Sequence, residues 1–133
     1  MTVWISKATA LAIHDRQLAE HAGSEGIRDE TLLESALARP RRGQAYGDSP
    51  PDHADLAASL AFGLTRNLPF VDGNKRTAHV CYRVFLALND AKFDASEEAK
   101  YAQMIGLAED RLDEAEFAAW LRARTHQNRW CGA

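Results

Sequence analysis

The stretch NLPFVDGNKR, residues 67–76, decides how this chain folds, because it interrupts a helical pattern in the middle of the sequence. Pro69 disfavours helical backbone in the residue before it, which predicts that the preceding helix ends at Leu68. Gly73 then precedes an amphipathic segment that starts at Asn74. The stretch is therefore predicted to be a loop that joins two helices.

The segments on either side of this loop have the spacing of buried helices. Before it, Leu56, Leu60 and Leu64 recur every four residues, which places them on one helical face. After it, residues 74–89 carry an apolar stripe made of Ala78, Cys81, Tyr82, Phe85 and Leu88. These two segments are predicted to form the centre of the molecule.

Two further helices are predicted before this central pair. Ser6 is a suitable N-cap for a helix that runs to about Gly23, with an inward face of Leu11, His14 and Leu18. Asp29 is predicted to cap a second helix, which Pro40 ends. Residues 40–51 are long for a connection and rich in glycine and proline, which predicts a mobile flap.

Two more helices are predicted after residue 89. Ser96 is the expected cap of the first, whose inward face is formed by Tyr101, Met104, Ile105 and Ala108. The second begins with the capping box Asp113-x-x-Glu116, and its inward residues are Phe117, Trp120 and Leu121. The predicted fold class is all-α, a compact bundle of about six helices.

Composition limits the classes of function. A chain of 133 residues with 46% hydrophobic content can build one core, so residues 1–133 are predicted to form a single domain. The 16 basic residues are outnumbered by 19 acidic ones, which argues against direct binding to DNA. Cys81 and Cys131 do not suggest a disulfide framework. The sequence shows no signal peptide or membrane-spanning run, and the expected location is the cytoplasm without a membrane partner.

The central loop has the residue types of a phosphate cradle. Its backbone N–H groups lie at the start of a helix, where they and the helix dipole attract anions. Gly73 lets the backbone approach a phosphate, Asn74 and Lys75 can donate hydrogen bonds, and Arg76 can grip phosphate oxygens. Asp72 would repel a phosphate unless a cation, usually magnesium, lies between them. The pattern predicts a site for a nucleoside triphosphate, and not a Walker-type loop, which follows a strand.

The sequence resembles the Fic/Doc family, and within it the death-on-curing (Doc) toxins of toxin–antitoxin systems. Their motif reads His-x-Phe-x-Asp-Gly/Ala-Asn-Lys-Arg-Thr-Ala, and this chain matches it at Phe70 and throughout 72–78. The resemblance extends over nearly the whole chain, through His14-Asp15, residues 26–29, residues 32–40, Tyr46 and Trp120.

The resemblance implies an all-α fold with the motif between two central helices. It also implies a toxin that transfers the γ-phosphate of ATP to a threonine of elongation factor Tu, and an antitoxin whose C-terminal segment folds as a helix into a groove on the toxin. Asp72 would hold magnesium, Gly73 to Lys75 would form the anion nest, and Arg76 would contact phosphates, while Phe70 would serve packing. Lys75 and His79 favour this branch over the Fic enzymes that transfer AMP.

Leu68 departs from the family pattern, because the family has its catalytic histidine at this position. Leucine cannot accept a proton, and the neighbouring amide of Asn67 is not basic. General bases contribute about a hundred- to ten-thousand-fold, so we expect nucleotide binding to be kept and turnover to be nearly lost. The substitution is either natural or introduced. The alternatives are a non-catalytic module that binds nucleotide or antitoxin, and, less favoured, an AMP transferase.

Three further groups remain open at this point. His14 is either a hydrogen-bonded structural residue or part of a polar pair near the site. A cluster of three arginines with Tyr46 is either a clamp on substrate or a solvated charge run: Arg39, Arg41 and Arg42. Residues 129–133 are expected to form a frayed tail, with Trp130 packed on the bundle or docked on a partner.

Overall fold

The computed structural model describes residues 1–46 and 50–127, and of residues 44–46 it describes the backbone only. In this part of the chain there are six helices: α1 (Lys7–His21), α2 (Glu30–Tyr46), α3 (His53–Asn67), α4 (Asn74–Leu88), α5 (Glu97–Ala108) and α6 (Glu114–Arg124). Two short strands, β1 (Ala91–Phe93) and β2 (Thr125–Gln127), form an antiparallel ribbon. The prediction of an all-α bundle of about six helices is confirmed.

Helix α3 lies at the centre of the bundle and packs against α2, α4 and α6. Most of its residues are buried, including Leu56, Leu60 and Leu64 of the predicted face. Gly63 allows α2 to come close, because a Cβ built there would lie 3.3 Å from Ala36 Cα. Since α3 and α4 are both central, the loop between them is anchored to the core at both ends.

The predicted caps are confirmed where helices begin. Ser6 accepts a hydrogen bond from Thr9 N at 3.1 Å, and Ser96 accepts one from Ala99 N at 3.1 Å. The capping box at the start of α6 joins Asp113 Oδ1 to the N–H of Glu116 at 2.7 Å. Asp29 likewise accepts from Leu32 N at the start of α2. These side chains satisfy N–H groups that have no partner within a helix.

The prediction that Pro40 ends the second helix is wrong. Helix α2 continues through Pro40 to Tyr46, although a proline inside a helix costs about 3 kcal/mol. Contacts on both sides of the proline offset this cost: Arg39 Nη2 donates to Glu114 Oε1 at 2.7 Å, and the Arg41 guanidinium lies 5.4 Å from the Trp4 ring centroid. Such contacts between helices are not visible in the local sequence.

The predicted flap over residues 40–51 is accordingly wrong for its first half. Residues 40–46 are helical, and residues 51–52 lead directly into α3. Residues 47–49 lie outside the described residues, as does the tail predicted at 129–133.

The buried faces of α4 and α5 do not contain all of the residues predicted for them. Leu88 is 45% exposed and Tyr101 is 63% exposed, whereas Leu107 and Lys100 are buried in α5 instead. Lys100 is buried because its ammonium lies over the ring of Phe93 in β1, 5.0 Å from the centroid. The strand β1 therefore changes which face of α5 is covered.

Within the described ranges, no helix is both long enough and apolar enough to cross a membrane.

Candidate active site

The loop between α3 and α4, residues 68–73, begins with a leucine in the left-handed backbone conformation. Leu68 is the C-cap of α3 with φ 48° and ψ 55°, and it is 48% exposed. This conformation costs a residue with a Cβ about 1–2 kcal/mol, and glycine is the usual choice for it. The surrounding contacts must therefore hold Leu68 in place.

Arg28 holds the end of α3 through three backbone carbonyls. Its Nε donates to Leu68 O at 2.6 Å and its Nη2 donates to Asn67 O at 2.7 Å. Its backbone N–H donates to Pro69 O at 2.7 Å. The last carbonyls of a helix have no partner within the helix, so Arg28 supplies the donors that they lack.

The segment around Arg28, residues 24–29, also pairs with the loop along its backbone. Asp29 N donates to Pro69 O at 3.0 Å, and Val71 N donates to Gly26 O at 3.0 Å. Between these bonds, Ile27 and Phe70 form an isolated antiparallel bridge. The first half of the loop is thus fixed by a segment that lies about forty residues earlier in the chain.

Asn74 closes the middle of the loop on itself. Its side-chain Oδ1 accepts from Phe70 N at 2.9 Å, and its Nδ2 donates to Phe70 O at 2.9 Å. The ring of Phe70 is buried and stacks on His14, as the packing role implied by the family requires. The side-chain amide of Asn74 is therefore engaged within the loop. The donor that Asn74 can offer to an anion is its backbone N–H, because N–H groups in the first turn of a helix have no partner within the helix.

The start of α4 is suited to an anion. Gly73 is its N-cap with φ 79°, and no side chain caps the helix at this end. Lys75 and Arg76 follow in the first turn and are both exposed. A cavity of about 380 Å³ opens here, lined by Thr65, Leu68, Val71, Asp72, Gly73, Asn74, Lys75, Arg76, Ala108 and Glu109. The predicted site residues 68 and 72–76 are therefore brought together around one cavity.

Asp72 is exposed at this cavity and is held by two backbone N–H groups. Ser24 N donates to its Oδ2 at 3.3 Å and Gly73 N donates to its Oδ1 at 2.8 Å. These bonds, with smaller contributions from Arg76 and His14, lower the pKa of the Asp72 carboxyl below its ordinary value. Each carboxylate oxygen keeps a lone pair for another partner.

Arg76 separates this cavity from a second one. Its Nη1 donates to Ala22 O at a long 3.4 Å, which leaves most of the guanidinium free for a ligand. The second cavity, of about 490 Å³, lies between α1, α4 and α5 and is lined by Gln17, His21, Lys75, Arg76, His79, Tyr101, Met104 and Ile105. Half-buried His79 lines this second cavity, and burial lowers its pKa to about 4.

Arg39, the first residue of the arginine cluster, is neither a clamp on substrate nor part of a solvated charge run. Its guanidinium forms a two-pronged ion pair with Glu114 and also donates to Ser59 Oγ at 2.9 Å. Arg41 lies over Trp4, and Arg42 donates to Ser35 O. Arg39 is thus a structural tie between helices, and the side chain of Tyr46 lies outside the described residues.

Two residues at the site were given no role from the sequence. Arg28 contacts the loop through backbone carbonyls, and no spacing rule predicts such a contact. Glu109 reaches the cavity from the end of α5, where it also pairs with Arg111 at 2.8 Å. His14 was considered, and the structure shows the hydrogen-bonded structural role: it is 3% exposed, with Nε2 2.8 Å from Asp72 O.

Comparisons with known proteins find similar sequences over most of the chain. The Fic/DOC family model matches residues 4–86, which include the loop and the first turns of α4. The chain is similar to "Toxin Doc" of Mycolicibacterium smegmatis (strain ATCC 700084 / mc(2)155), with 40% identity over 82 residues. That match covers 61% of this chain and 62% of that protein, so it spans less than two thirds of the relative's length. The chain is also similar to "Protein kinase doc" of Escherichia phage P1, with 29% identity over 119 residues. That match covers 89% of this chain and 92% of that protein.

Proposed function

This chain belongs to the Fic/DOC family, and we propose on that basis that it is a Doc-type toxin whose loop binds ATP with magnesium but whose phosphate transfer is disabled at Leu68. The observation that carries the proposal is the position of Leu68. It lies at the same cavity as Asp72 and Arg76, where a base would have to face a bound phosphate.

The cavity has the charge and the backbone geometry for a triphosphate. The uncapped start of α4 offers N–H groups, and Lys75 and Arg76 add two positive charges beside them. An arginine can contact two phosphate oxygens at once, which is why Arg76 is assigned the grip on the ligand. The volume of about 380 Å³ is at the lower end of small-molecule sites, which suits the phosphates rather than the whole nucleotide.

Asp72 fits a magnesium ion that is shared with the phosphates. Its carboxylate is exposed, its lowered pKa keeps it charged, and its orientation is fixed by Ser24 N and Gly73 N. Among the residues that the structure describes, no three acidic, histidine or cysteine side chains cluster as a metal cage. One carboxylate with substrate oxygens is the usual way that proteins hold magnesium. Bound there, the ion would neutralise charge on the phosphates.

The transfer itself requires a base that this chain lacks. A threonine hydroxyl of the target attacks the γ-phosphorus of ATP, the bond from that phosphorus to the β,γ-bridging oxygen breaks, and ADP leaves. The hydroxyl proton must go to an acceptor, and Leu68 has none to offer. Of the described residues that line the cavity, Asp72 and Glu109 carry carboxylates, the first assigned to magnesium and the second paired with Arg111.

The target and the regulator are proposed from the resemblance to the family. One relative carries the name of a protein kinase and the other that of a toxin. The proposed target is elongation factor Tu, so that the active form would arrest translation in the cytoplasm. The proposed regulator is an antitoxin whose C-terminal helix occupies a groove on this chain.

A second function is favoured by the same leucine. A site that binds nucleotide or antitoxin without chemistry would need the cradle and not the base. The two functions differ in one respect: a disabled enzyme regains activity when a histidine is placed at position 68, whereas a binding module does not.

Calorimetric titration of magnesium-ATP tests the proposal. We expect the chain as given and Leu68→His to bind with similar affinity, and Arg76→Ala to bind at least tenfold more weakly. Arg16→Ala is the matched control, because Arg16 is an exposed arginine of α1 that pairs with Glu20. If neither the chain nor Leu68→His binds magnesium-ATP, the phosphate-site assignment is wrong.

The second half of the test is chemistry. Leu68→His is incubated with elongation factor Tu and labelled ATP, and its expression is tested for growth arrest. Phosphorylation by this variant and not by the chain as given supports a disabled enzyme. Binding without transfer in both proteins supports the binding module.

A further inference from the structure

We infer that Arg28 is a positioning residue that fixes the backbone at position 68, and thereby the direction in which the side chain at that position faces the phosphate cavity. The consequence for catalysis rests on the proposed function. The structural part of the inference does not, because it concerns the backbone of the chain as it stands.

Arg28 contacts three consecutive carbonyls at the point where α3 ends. Its guanidinium donates to Asn67 O and Leu68 O at 2.7 and 2.6 Å, and its own N–H donates to Pro69 O at 2.7 Å. Both guanidinium bonds are as short as charge-assisted bonds usually are. Three bonds from one residue leave the backbone from 67 to 69 little freedom to change direction.

The position needs such support because of its conformation. A left-handed C-cap is usually glycine, whereas here the residue has a Cβ, as the family's histidine also has. A right-handed or extended backbone at 68 would turn the side chain away from the cavity that it now lines. Arg28 therefore keeps the side chain at position 68 directed at the cavity, whichever residue type stands there.

The charge of Arg28 is not used elsewhere. Among the ion pairs of the described residues none involves the Arg28 guanidinium, although Asp29 is its neighbour in sequence. Asp29 instead caps α2 through Leu32 N at 3.0 Å. An arginine that only stabilises the surface would be expected to pair with a carboxylate. The main interactions of the Arg28 side chain are instead its hydrogen bonds to the carbonyls of Asn67 and Leu68.

The cradle is held by other bonds. Asn74 closes the loop through Phe70, and Asp72 is fixed by Ser24 N and Gly73 N. Loss of the Arg28 side chain should therefore affect position 68 and leave the affinity for phosphate nearly unchanged. A residue with a merely structural role would affect both together.

The first experiment uses the chain as given. The Cα and Cβ chemical shifts of Leu68, which report whether a backbone is left-handed, are measured by NMR in the parent, Arg28→Ala and Arg28→Lys. Arg124→Ala is the control, because Arg124 donates to one carbonyl, Trp120 O, far from the loop. We expect the left-handed signature to be lost in Arg28→Ala, partly kept in Arg28→Lys and unchanged in Arg124→Ala. An unchanged signature in folded Arg28→Ala overturns the inference.

The second experiment adds Arg28→Ala to Leu68→His. We expect kcat for phosphate transfer to fall at least tenfold, because a base displaced by about 1 Å can lose a hundredfold in rate. KM for ATP should change less than twofold, and Arg28→Lys should recover part of kcat. Equal losses in kcat and in ATP affinity would overturn the positioning role. Absence of transfer in Leu68→His itself overturns the proposed function instead, while the NMR comparison still decides the role of Arg28.

Discussion

His14 of α1 lies flat on Phe70, with ring centroids 3.8 Å apart and ring planes 7° from parallel. The same imidazole places its Nε2 2.8 Å from Asp72 O. The buried side chain of His14 thus contacts two residues of the loop, the ring of Phe70 and the backbone carbonyl of Asp72.

His14→Phe separates these two contacts, because phenylalanine keeps a ring for stacking but has no donor for Asp72 O. We expect the free energy of unfolding in urea to fall by about 1–3 kcal/mol, the usual cost of leaving a buried polar group without its partner. His21→Phe, at an exposed position of the same helix, is the control. A variant as stable as the parent would show that the carbonyl finds another donor.

Asn74→Ala removes both hydrogen bonds that close the loop on Phe70. We expect it to lower the free energy of unfolding by about 1–3 kcal/mol and to weaken magnesium-ATP binding at least tenfold, because the N–H groups of the cradle are no longer held in one arrangement. Asn74→Asp retains the acceptor for Phe70 N and should be intermediate in stability. If Asn74→Ala binds magnesium-ATP with the same affinity as the parent in calorimetry, the Asn74 side chain does not hold the cradle in its binding arrangement.

Gly23→Ala tests how the carboxylate of Asp72 is placed. A Cβ at Gly23, where φ is 138°, would lie 2.9 Å from Asp72 Oδ2 and 3.0 Å from Leu18 Cδ2, so the carboxylate must move. We expect ATP affinity to lose most of its dependence on magnesium, measured by titration with and without the ion. Gly26→Ala is the matched control, because its φ of 115° is also positive but a Cβ there meets only Val71 Cγ2, at 3.5 Å. A magnesium effect that is as large as in the parent would contradict the assignment of Asp72.

The half-burial of His79 predicts a pH dependence of stability. Burial, assisted by Arg83 and Lys100 and opposed by Glu97, lowers its pKa from 6.5 to about 4 in the folded state. Between these values the unfolded chain binds a proton that the folded one does not, so stability falls as the pH is lowered from 6.5 towards 4. We expect a loss of about 1–3 kcal/mol across this window.

His79→Gln should remove that part of the pH dependence, since glutamine does not titrate. Urea unfolding at several pH values between 4 and 7 measures the difference between variant and parent. His126→Gln, at an exposed position in β2, is the control. Parallel pH profiles of His79→Gln and the parent would show that other groups cause the loss.

Local rules predicted much of this fold. The end of α3 before Pro69 and the caps at Ser6, Ser96 and Asp113 follow from interactions within four residues, and all are confirmed. The continuation of α2 through Pro40 could not be predicted, because it depends on Glu114 about seventy residues away.

The same limit applies to the ribbon and to the site. The strands Ala91–Phe93 and Thr125–Gln127 are three residues each, too short for an alternating pattern, and they pair between distant parts of the chain, with Ala91 opposite Gln127. At the site, the sequence identified the residues around the cavity from their chemistry. It could not identify Arg28, because a bond to a backbone carbonyl does not depend on the residue type that supplies the carbonyl.

The side chain at position 68 is not part of the hydrogen bonds that hold the loop. Every hydrogen bond described at position 68 uses the carbonyl of the leucine and none uses its side chain. A substitution at this position therefore leaves the hydrogen bonds of Arg28 in place, so the side-chain chemistry and the loop architecture at residue 68 can vary independently of each other.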